Sequence, residues 1–77
     1  MDKDSYLLQE FGTRLAELRK QKGISQEKLA LESGLARSYL SGVERGQRNI
    51  SLLNIYKIAN TLDIDIACFF NIDNKNK

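Results

Sequence analysis

The sequence predicts an all-α domain, and three observations support this prediction. Apolar residues recur at spacings of three and four residues, as they do on the buried face of an α-helix. The chain contains no proline, and its five glycines all lie at or before position 46. Residues that commonly cap helices, such as Ser25 and Ser51, precede the periodic segments. This pattern favours helices separated by glycines over a turn-rich β fold.

The length of the chain predicts one domain. We expect the 77 residues to form a single unit over residues 1–77, with a core over about 5–70 and frayed ends at 1–4 and 71–77. The hydrophobic fraction of 42% and the charged fraction of 29% are ordinary for a globular domain. A chain this short buries only about 60% of its unfolded surface, so a second subunit would add to a modest core.

The residue types that metal, disulfide and most acid–base chemistry require are scarce. The chain has no histidine and one cysteine, Cys68, which excludes an intramolecular disulfide and a cysteine–histidine metal cluster. It has no glycine-rich phosphate loop, no signal peptide and no apolar run approaching about 18 residues. We therefore predict a cytoplasmic protein that is not an enzyme, has no membrane partner and needs no metal or cofactor.

The first predicted helix starts at Asp4 or Ser5, either of which can cap it, and ends near Lys22 before Gly23. Its expected inward stripe consists of Leu8, Phe11, Leu15 and Leu18. Basic residues gather in its last turn, where the helix dipole favours positive charge.

Residues 25–46 predict two short helices joined by a tight turn. Ser25 can cap the first helix, and Gly34 can adopt the left-handed conformation that ends it. The second helix starts at about Ala36 and stops at Gly46, again a residue that commonly ends helices.

On a helical wheel, the second of these helices has one polar face and one apolar face. The polar arc of about 140 degrees contains Arg37, Ser38, Ser41, Gly42 and Arg45. The opposite side contains Ala36, Tyr39, Leu40, Val43 and Glu44. A helix in a DNA major groove needs such a polar arc, since guanidinium groups bind base edges or phosphates and small residues permit close approach.

Positive charge is concentrated in the middle of the chain. From Arg14 to Arg48 there are eight basic residues against four glutamates, a net charge of +4, whereas residues 1–13 carry −2 and residues 49–77 are neutral. Such clustering is expected of a surface that binds phosphates. The alternative interpretation is an ordinary solvated helix surface.

A fourth helix is predicted from Ser51, its cap, to about Leu62. Its expected inward stripe consists of Leu52 or Leu53, Ile55, Ile58, Ala59 and Leu62. Residues 63–70, DIDIACFF, are ambiguous, because they alternate like a strand while Asp65 could cap a short helix.

The run ISQEKLA, followed by SGLARSYLSGVERG, resembles the helix-turn-helix of the phage-repressor type (lambda-repressor-like) of DNA-binding domain. The next run, ERGQRNIS, resembles more narrowly the controller proteins of bacterial restriction–modification systems. The wider resemblance covers about residues 10–70. It implies a compact five-helix domain, with the helix-turn-helix at helices 2 and 3 and a short fifth helix within residues 63–70.

The resemblance also implies a set of DNA contacts. Base contacts are expected from Arg37, Ser38 and Arg48. Phosphate or groove contacts are expected from Gln26, Tyr39, Ser41, Arg45 and Asn49. Structural alternatives remain open: a capping role for Gln26, a core position for Tyr39 and a solvated position for Arg45. An arginine such as Arg37 can donate two hydrogen bonds to guanine O6 and N7.

Two further features follow from the resemblance. Arg19 and Glu44 match a pair that forms a salt bridge, each at the border of the apolar stripe of its helix. A homodimer interface is expected from Ile64, Ile66, Phe69 and Phe70, unless these residues only close the core of one chain.

The predicted function is a sequence-specific transcription regulator that binds a pseudo-palindromic operator in double-stranded DNA as a homodimer. The narrower resemblance implies an autoregulatory controller of restriction–modification genes, bacterial or phage-encoded and nucleoid-associated, with RNA polymerase as a further candidate partner. The alternatives are a phage-type repressor, a regulator of another operon, and an antitoxin-like interaction module with the same fold. The sequence shows no long extra segment to embrace a toxin, which counts against the last.

Overall fold

The computed structural model describes residues 2–70 and contains four α-helices followed by a 3-10 helix. The elements are α1 (Lys3–Gln21), α2 (Gln26–Ser33), α3 (Arg37–Glu44), α4 (Leu52–Leu62) and the 3-10 helix (Ile66–Phe70). These residues contain no strand, and the all-α prediction is confirmed. The expected short fifth helix is a 3-10 helix, so these residues contain four α-helices and not five. The predicted frayed tail, residues 71–77, lies outside the described residues.

α1 begins earlier than the sequence predicted. Asp2 is its N-cap, and the Asp2 carboxylate accepts a hydrogen bond of 2.7 Å from the backbone amide of Ser5. This bond lowers the pKa of Asp2, because it stabilises the ionised carboxylate. The prediction that Asp4 or Ser5 caps the helix is therefore wrong. Asp4 lies in the first turn instead, where the helix dipole favours negative charge.

The turn between α2 and α3 has the predicted geometry. The Ser25 hydroxyl accepts a hydrogen bond of 3.0 Å from the amide of Lys28 and so caps α2. Gly34 ends α2 with φ of 78°, a backbone conformation that strains most side chains. The amides of Gly34 and Leu35 both donate to the carbonyl of Ala30. These bonds close α2 and direct the chain into α3.

The segment after α4 is a helical turn and not a strand. Asp63 ends α4 with φ of 58°, a left-handed conformation that aspartate tolerates better than most residues. The Asp65 carboxylate accepts a hydrogen bond of 2.8 Å from the amide of Ala67 as the 3-10 helix begins. Nε of Arg14 on α1 donates to the carbonyl of Cys68 at 2.9 Å. That bond ties the 3-10 helix to α1.

The hydrophobic core lies where the four α-helices and the 3-10 helix meet. Its buried members are Leu15, Leu18, Leu29, Ala30, Leu40, Val43, Ile55, Ile58, Ala59, Leu62 and Phe69. The expected inward position for Leu52 or Leu53 is wrong, since these side chains are 63% and 72% exposed. The buried stripe of α4 starts one turn later, at Ile55.

Candidate nucleic-acid interface

One side of α3 anchors the helix, and the other side is open to solvent. Leu40 and Val43 are buried in the core. Arg37 and Ser38, at the start of α3, and Arg45, just after its end, are exposed. The exposed side therefore has a guanidinium group at each end, which is the polar, basic face that the helical wheel predicted.

A glycine on α1 allows α1 and α3 to approach closely. Gly12 is buried, and a Cβ atom at this position would lie 2.6 Å from the carbonyl oxygen of Glu44. The atoms in the way belong to the backbone, so no side-chain rotation could relieve the clash. This contact fixes how deeply α3 sits on α1.

An ion pair joins α1 to the end of α3. Nε and Nη2 of Arg19 donate to the two carboxylate oxygens of Glu44 at 2.7 and 3.0 Å. Nη1 of Arg19 donates to the carbonyl of Ile24 at 2.9 Å. The two charged side chains are only 10% and 7% exposed. An ion pair this buried is costly to break from one side, because the other charge is left without a partner.

The ion pair keeps Arg19 charged throughout the neutral range. The hydrogen bonds from Arg19 to Glu44 raise the pKa of Arg19, and this effect outweighs that of burial, which lowers the pKa. A raised arginine pKa means that the contribution of the charged guanidinium group to stability is fully present below the ordinary pKa of arginine and is lost only as the pH rises through the raised value.

Gln26, the first residue of α2, is part of the same network. Its Nε2 atom donates a hydrogen bond of 2.8 Å to Oε1 of Glu44. An amide group has two N–H donors, so the second remains for an acceptor outside the protein. The capping alternative for Gln26 is replaced by this bond, which joins the start of α2 to the end of α3.

Arg45 folds back along α3. Its Nη1 atom forms a hydrogen bond with the hydroxyl of Ser41, and Nε and Nη2 donate to Oε1 of Gln47 at 3.2 and 3.1 Å. Three of the five N–H donors are thus used within the protein. The remaining two lie on a guanidinium group whose position is fixed.

Arg48, in the loop after α3, packs back against that helix. A Cβ atom on Gly42 would lie 2.5 Å from Cγ of Arg48, so the arginine stem occupies the space beside the glycine. The guanidinium carbon of Arg48 is 5.0 Å from the centre of the Tyr39 ring, a cation–π contact. The interpretation of Gly42 as a small residue that lets DNA approach is corrected, because Gly42 is buried and makes room for Arg48.

Tyr39 connects three elements. Its ring, on α3, lies beneath the guanidinium group of Arg48, and its hydroxyl accepts a hydrogen bond of 3.1 Å from Nδ2 of Asn54 on α4. The side chain is half-buried. Tyr39 is thus a platform between the core and the surface.

Three predicted contact residues are open to solvent. Arg37, Ser38 and Asn49 are exposed, and their side chains form no hydrogen bond with the rest of residues 2–70. Their donors and acceptors are available to an external ligand.

The expected dimer surface is only partly available. Phe69 is 3% exposed, and its ring centre lies 5.3 Å from that of Phe11 on α1. The assignment of Phe69 to a subunit interface is corrected, because its side chain is buried in the core of its own chain. The ring centre of Phe70 lies 5.7 Å from that of Phe11, but the Phe70 side chain is 54% exposed. Ile64 and Ile66 are half-buried.

Sequence reasoning missed Gly12, Gln47 and Asn54. An isolated glycine within a helical pattern signals a packing role, and that signal could have identified Gly12. Gln47 lies within the run ERGQRNIS but was given no role there, and Asn54 lies outside both motifs, so only the folded geometry gives these residues partners.

A short helix capped by serine, a glycine turn and a second helix with a buried inner side and an exposed polar side together define a helix-turn-helix protein. The chain belongs to the helix-turn-helix family, whose model matches residues 15–67.

Its relatives include restriction–modification controllers. Control protein C.BamHI of Bacillus amyloliquefaciens is 46% identical over 68 residues, which cover 83% of this chain and 84% of that protein. Controller protein C.AhdI from Aeromonas hydrophila has 60% sequence identity with this chain, and its crystal structure superposes with a TM-score of 0.83. The match covers 84% of this chain and 98% of that chain. Controller protein C.Esp1396I, solved as a tetramer with its natural 35 base-pair operator, is 34% identical with a TM-score of 0.78, over 87% of this chain and 88% of that chain.

Among residues 2–70, no helix is both long enough and apolar enough to cross a membrane.

Proposed function

We propose that this protein is a sequence-specific DNA-binding transcription regulator whose α3 enters the major groove. The observation that carries the proposal is the exposed Arg37 guanidinium at the start of a helix whose opposite side is buried. The Arg19–Glu44 ion pair and the Gly12 contact hold that helix in place, so the cost of ordering α3 is met in folding. The controller C.Esp1396I, a relative of the same fold, was solved on operator DNA.

The contact residues divide into two groups by what their groups can recognise. Arg37, Ser38 and Arg48 contact base edges, where hydrogen-bond patterns differ between base pairs. Gln26, Tyr39, Ser41, Arg45 and Asn49 contact phosphates or the groove wall and set the position of α3 without specifying sequence. The amides at the N-terminus of α2, next to Gln26, add donors for the same phosphate.

The protein acts as a homodimer of single-domain subunits. A two-fold dimer places two α3 helices about one DNA turn apart, roughly 34–36 Å, on a pseudo-palindromic operator. Phe70, with Ile64 and Ile66, supplies the subunit interface; this assignment rests on exposed apolar area at the end of the described chain.

The regulated genes are those of a restriction–modification system, including the gene of the regulator itself. The support is the similarity to C.AhdI, which is named as a restriction–modification controller protein, and to the control protein C.BamHI. Occupancy of adjacent operator sites would decide between activation, with RNA polymerase as partner, and repression. The function is one of binding, without a catalytic step, and it places the protein in the cytoplasm at the nucleoid.

In vitro selection of bound duplexes from a random pool tests the proposal. We expect a pseudo-palindromic consensus whose half-site centres are one helical turn apart. Binding to the selected duplex falls steeply with salt, because each phosphate contact releases counterions. A selection that yields no consensus, or affinity that is flat between low and physiological salt, would contradict sequence-specific DNA binding.

The selected sequence also separates the alternatives. A controller operator is expected upstream of its own gene beside restriction and methyltransferase genes. The same consensus upstream of unrelated genes alone would instead support a phage-type repressor or a regulator of another operon.

A further inference from the structure

Two contacts with α3 hold Arg48 in position. Its stem lies on Gly42 of α3, and its guanidinium group lies over the ring of Tyr39. The hydroxyl at the far end of that ring accepts a hydrogen bond from Asn54. Asn54 is therefore connected to Arg48 through Tyr39, although nothing in the sequence suggests a link between them.

Asn54 is itself well placed to act as a fixed point. Its backbone amide donates to the hydroxyl of Ser51, the N-cap of α4, at 3.1 Å. The next residue, Ile55, is buried in the core. The first turn of α4 is thus anchored both by its cap and by packing, so the amide group of Asn54 extends from a rigid base towards Tyr39.

We infer that Asn54 is a positioning residue for DNA recognition, which fixes the Tyr39 ring and through it the guanidinium group of Arg48. This inference rests on the proposed function and on the base contact assigned to Arg48. An arginine loses many rotamers when it binds in a single orientation, and a platform that selects the orientation beforehand removes part of that cost. Asn54 needs no contact with DNA for this role.

The inference predicts that Asn54→Ala weakens operator binding through Arg48. We expect a loss of about threefold to tenfold, the effect of one hydrogen bond, concentrated on the base pair that Arg48 recognises. The variant retains the backbone bond to Ser51, so the start of α4 is preserved. Tyr39→Phe removes the acceptor of the same bond while keeping the ring under Arg48, and its loss should be at least as large, because Tyr39 is also a proposed phosphate or groove contact.

A double-mutant cycle distinguishes positioning from a general structural effect. Affinity for the selected duplex is measured for Asn54→Ala in the native background and in the Arg48→Ala background. We expect the Asn54→Ala loss to shrink below about twofold once Arg48 is absent. Asn60→Ala, the same substitution at an exposed position of α4, is the matched control and should leave affinity unchanged in both backgrounds.

The outcomes are separable. An equal Asn54→Ala loss in both backgrounds overturns the positioning role while leaving DNA binding intact. Unchanged affinity in both Asn54→Ala and Tyr39→Phe overturns it as well. If no duplex is bound specifically by the native protein, the proposed function itself fails, and the inference fails with it.

Discussion

Four arginines near α3 differ in how much freedom the fold leaves them. Arg19 is fixed by three hydrogen bonds and serves the fold. Arg45 and Arg48 are held at the surface by neighbouring side chains, whereas Arg37 is unrestrained. A guanidinium group in a fixed position suits a binding partner whose position is also fixed, such as the phosphate backbone or one defined base. A free guanidinium loses more entropy on binding, and only a strong, geometrically demanding contact repays that loss.

At this scale we predict the effect of Arg37→Ala on binding to the selected operator. The substitution should cost about 1–3 kcal/mol and relax base preference at one position in each half-site, because a bidentate contact with guanine discriminates between bases. Competition assays with single-base variants of the duplex measure both effects. Lys57→Ala, which removes one exposed positive charge from α4, controls for net charge and should cost far less. A uniform loss on all duplexes would make Arg37 a phosphate contact.

At the scale of elements, some of the features that position α3 can be predicted from the sequence and others cannot. Serine caps and the Gly34 turn are local signals, and they predicted the ends of α2 and the start of α4. The Gly12 contact joins residues far apart in sequence, and no local pattern specifies its partner.

The limits of the sequence have a physical cause at each point where prediction failed. Asp2 and Asp4 are equally good caps locally, and the helix begins at the earlier one because the Asp2 carboxylate accepts a hydrogen bond from the backbone amide of Ser5. The alternating apolar residues within 63–70 are compatible with a strand or with a helical turn. The structure has the helical turn, which the hydrogen bond from Arg14 to the carbonyl of Cys68 ties to α1. The polar arc of α3 was predictable from its period, but the contacts of Arg45, Arg48 and Tyr39 were not.

Whether Gly12→Ala raises or lowers stability tests the close contact between α1 and α3. Helix propensity alone would make Gly12→Ala stabilising by about 1 kcal/mol. Because the added methyl group meets backbone atoms of α3, we expect destabilisation of about 1–3 kcal/mol in urea unfolding. Thr13→Ala, at the exposed neighbouring position, should leave stability nearly unchanged or slightly raised. Stabilisation by Gly12→Ala would show that α1 and α3 can separate without cost.

A palindromic site requires two copies of the chain. The described chain has a longest extent of 37 Å, and it contains one α3. Two recognition helices spaced by about 34–36 Å must therefore come from two chains. The subunit contact then sets the spacing of the half-sites, and assembly becomes coupled to DNA binding.

We predict that Phe70→Glu converts the dimer to a monomer, because a charge would be buried in the apolar interface. Sedimentation velocity should show a single species of 8.8 kDa, and operator affinity should fall about a hundredfold or more as dimerisation is lost. Leu31→Glu, at an apolar side chain of α2 that is 83% exposed, is the matched control and should leave assembly unchanged. Phe69→Ala separates fold from assembly, since removing this buried ring should cost about 3–5 kcal/mol of stability. An intact dimer in Phe70→Glu would place the interface elsewhere, and the exposed leucines of α4 would be the next surface to test.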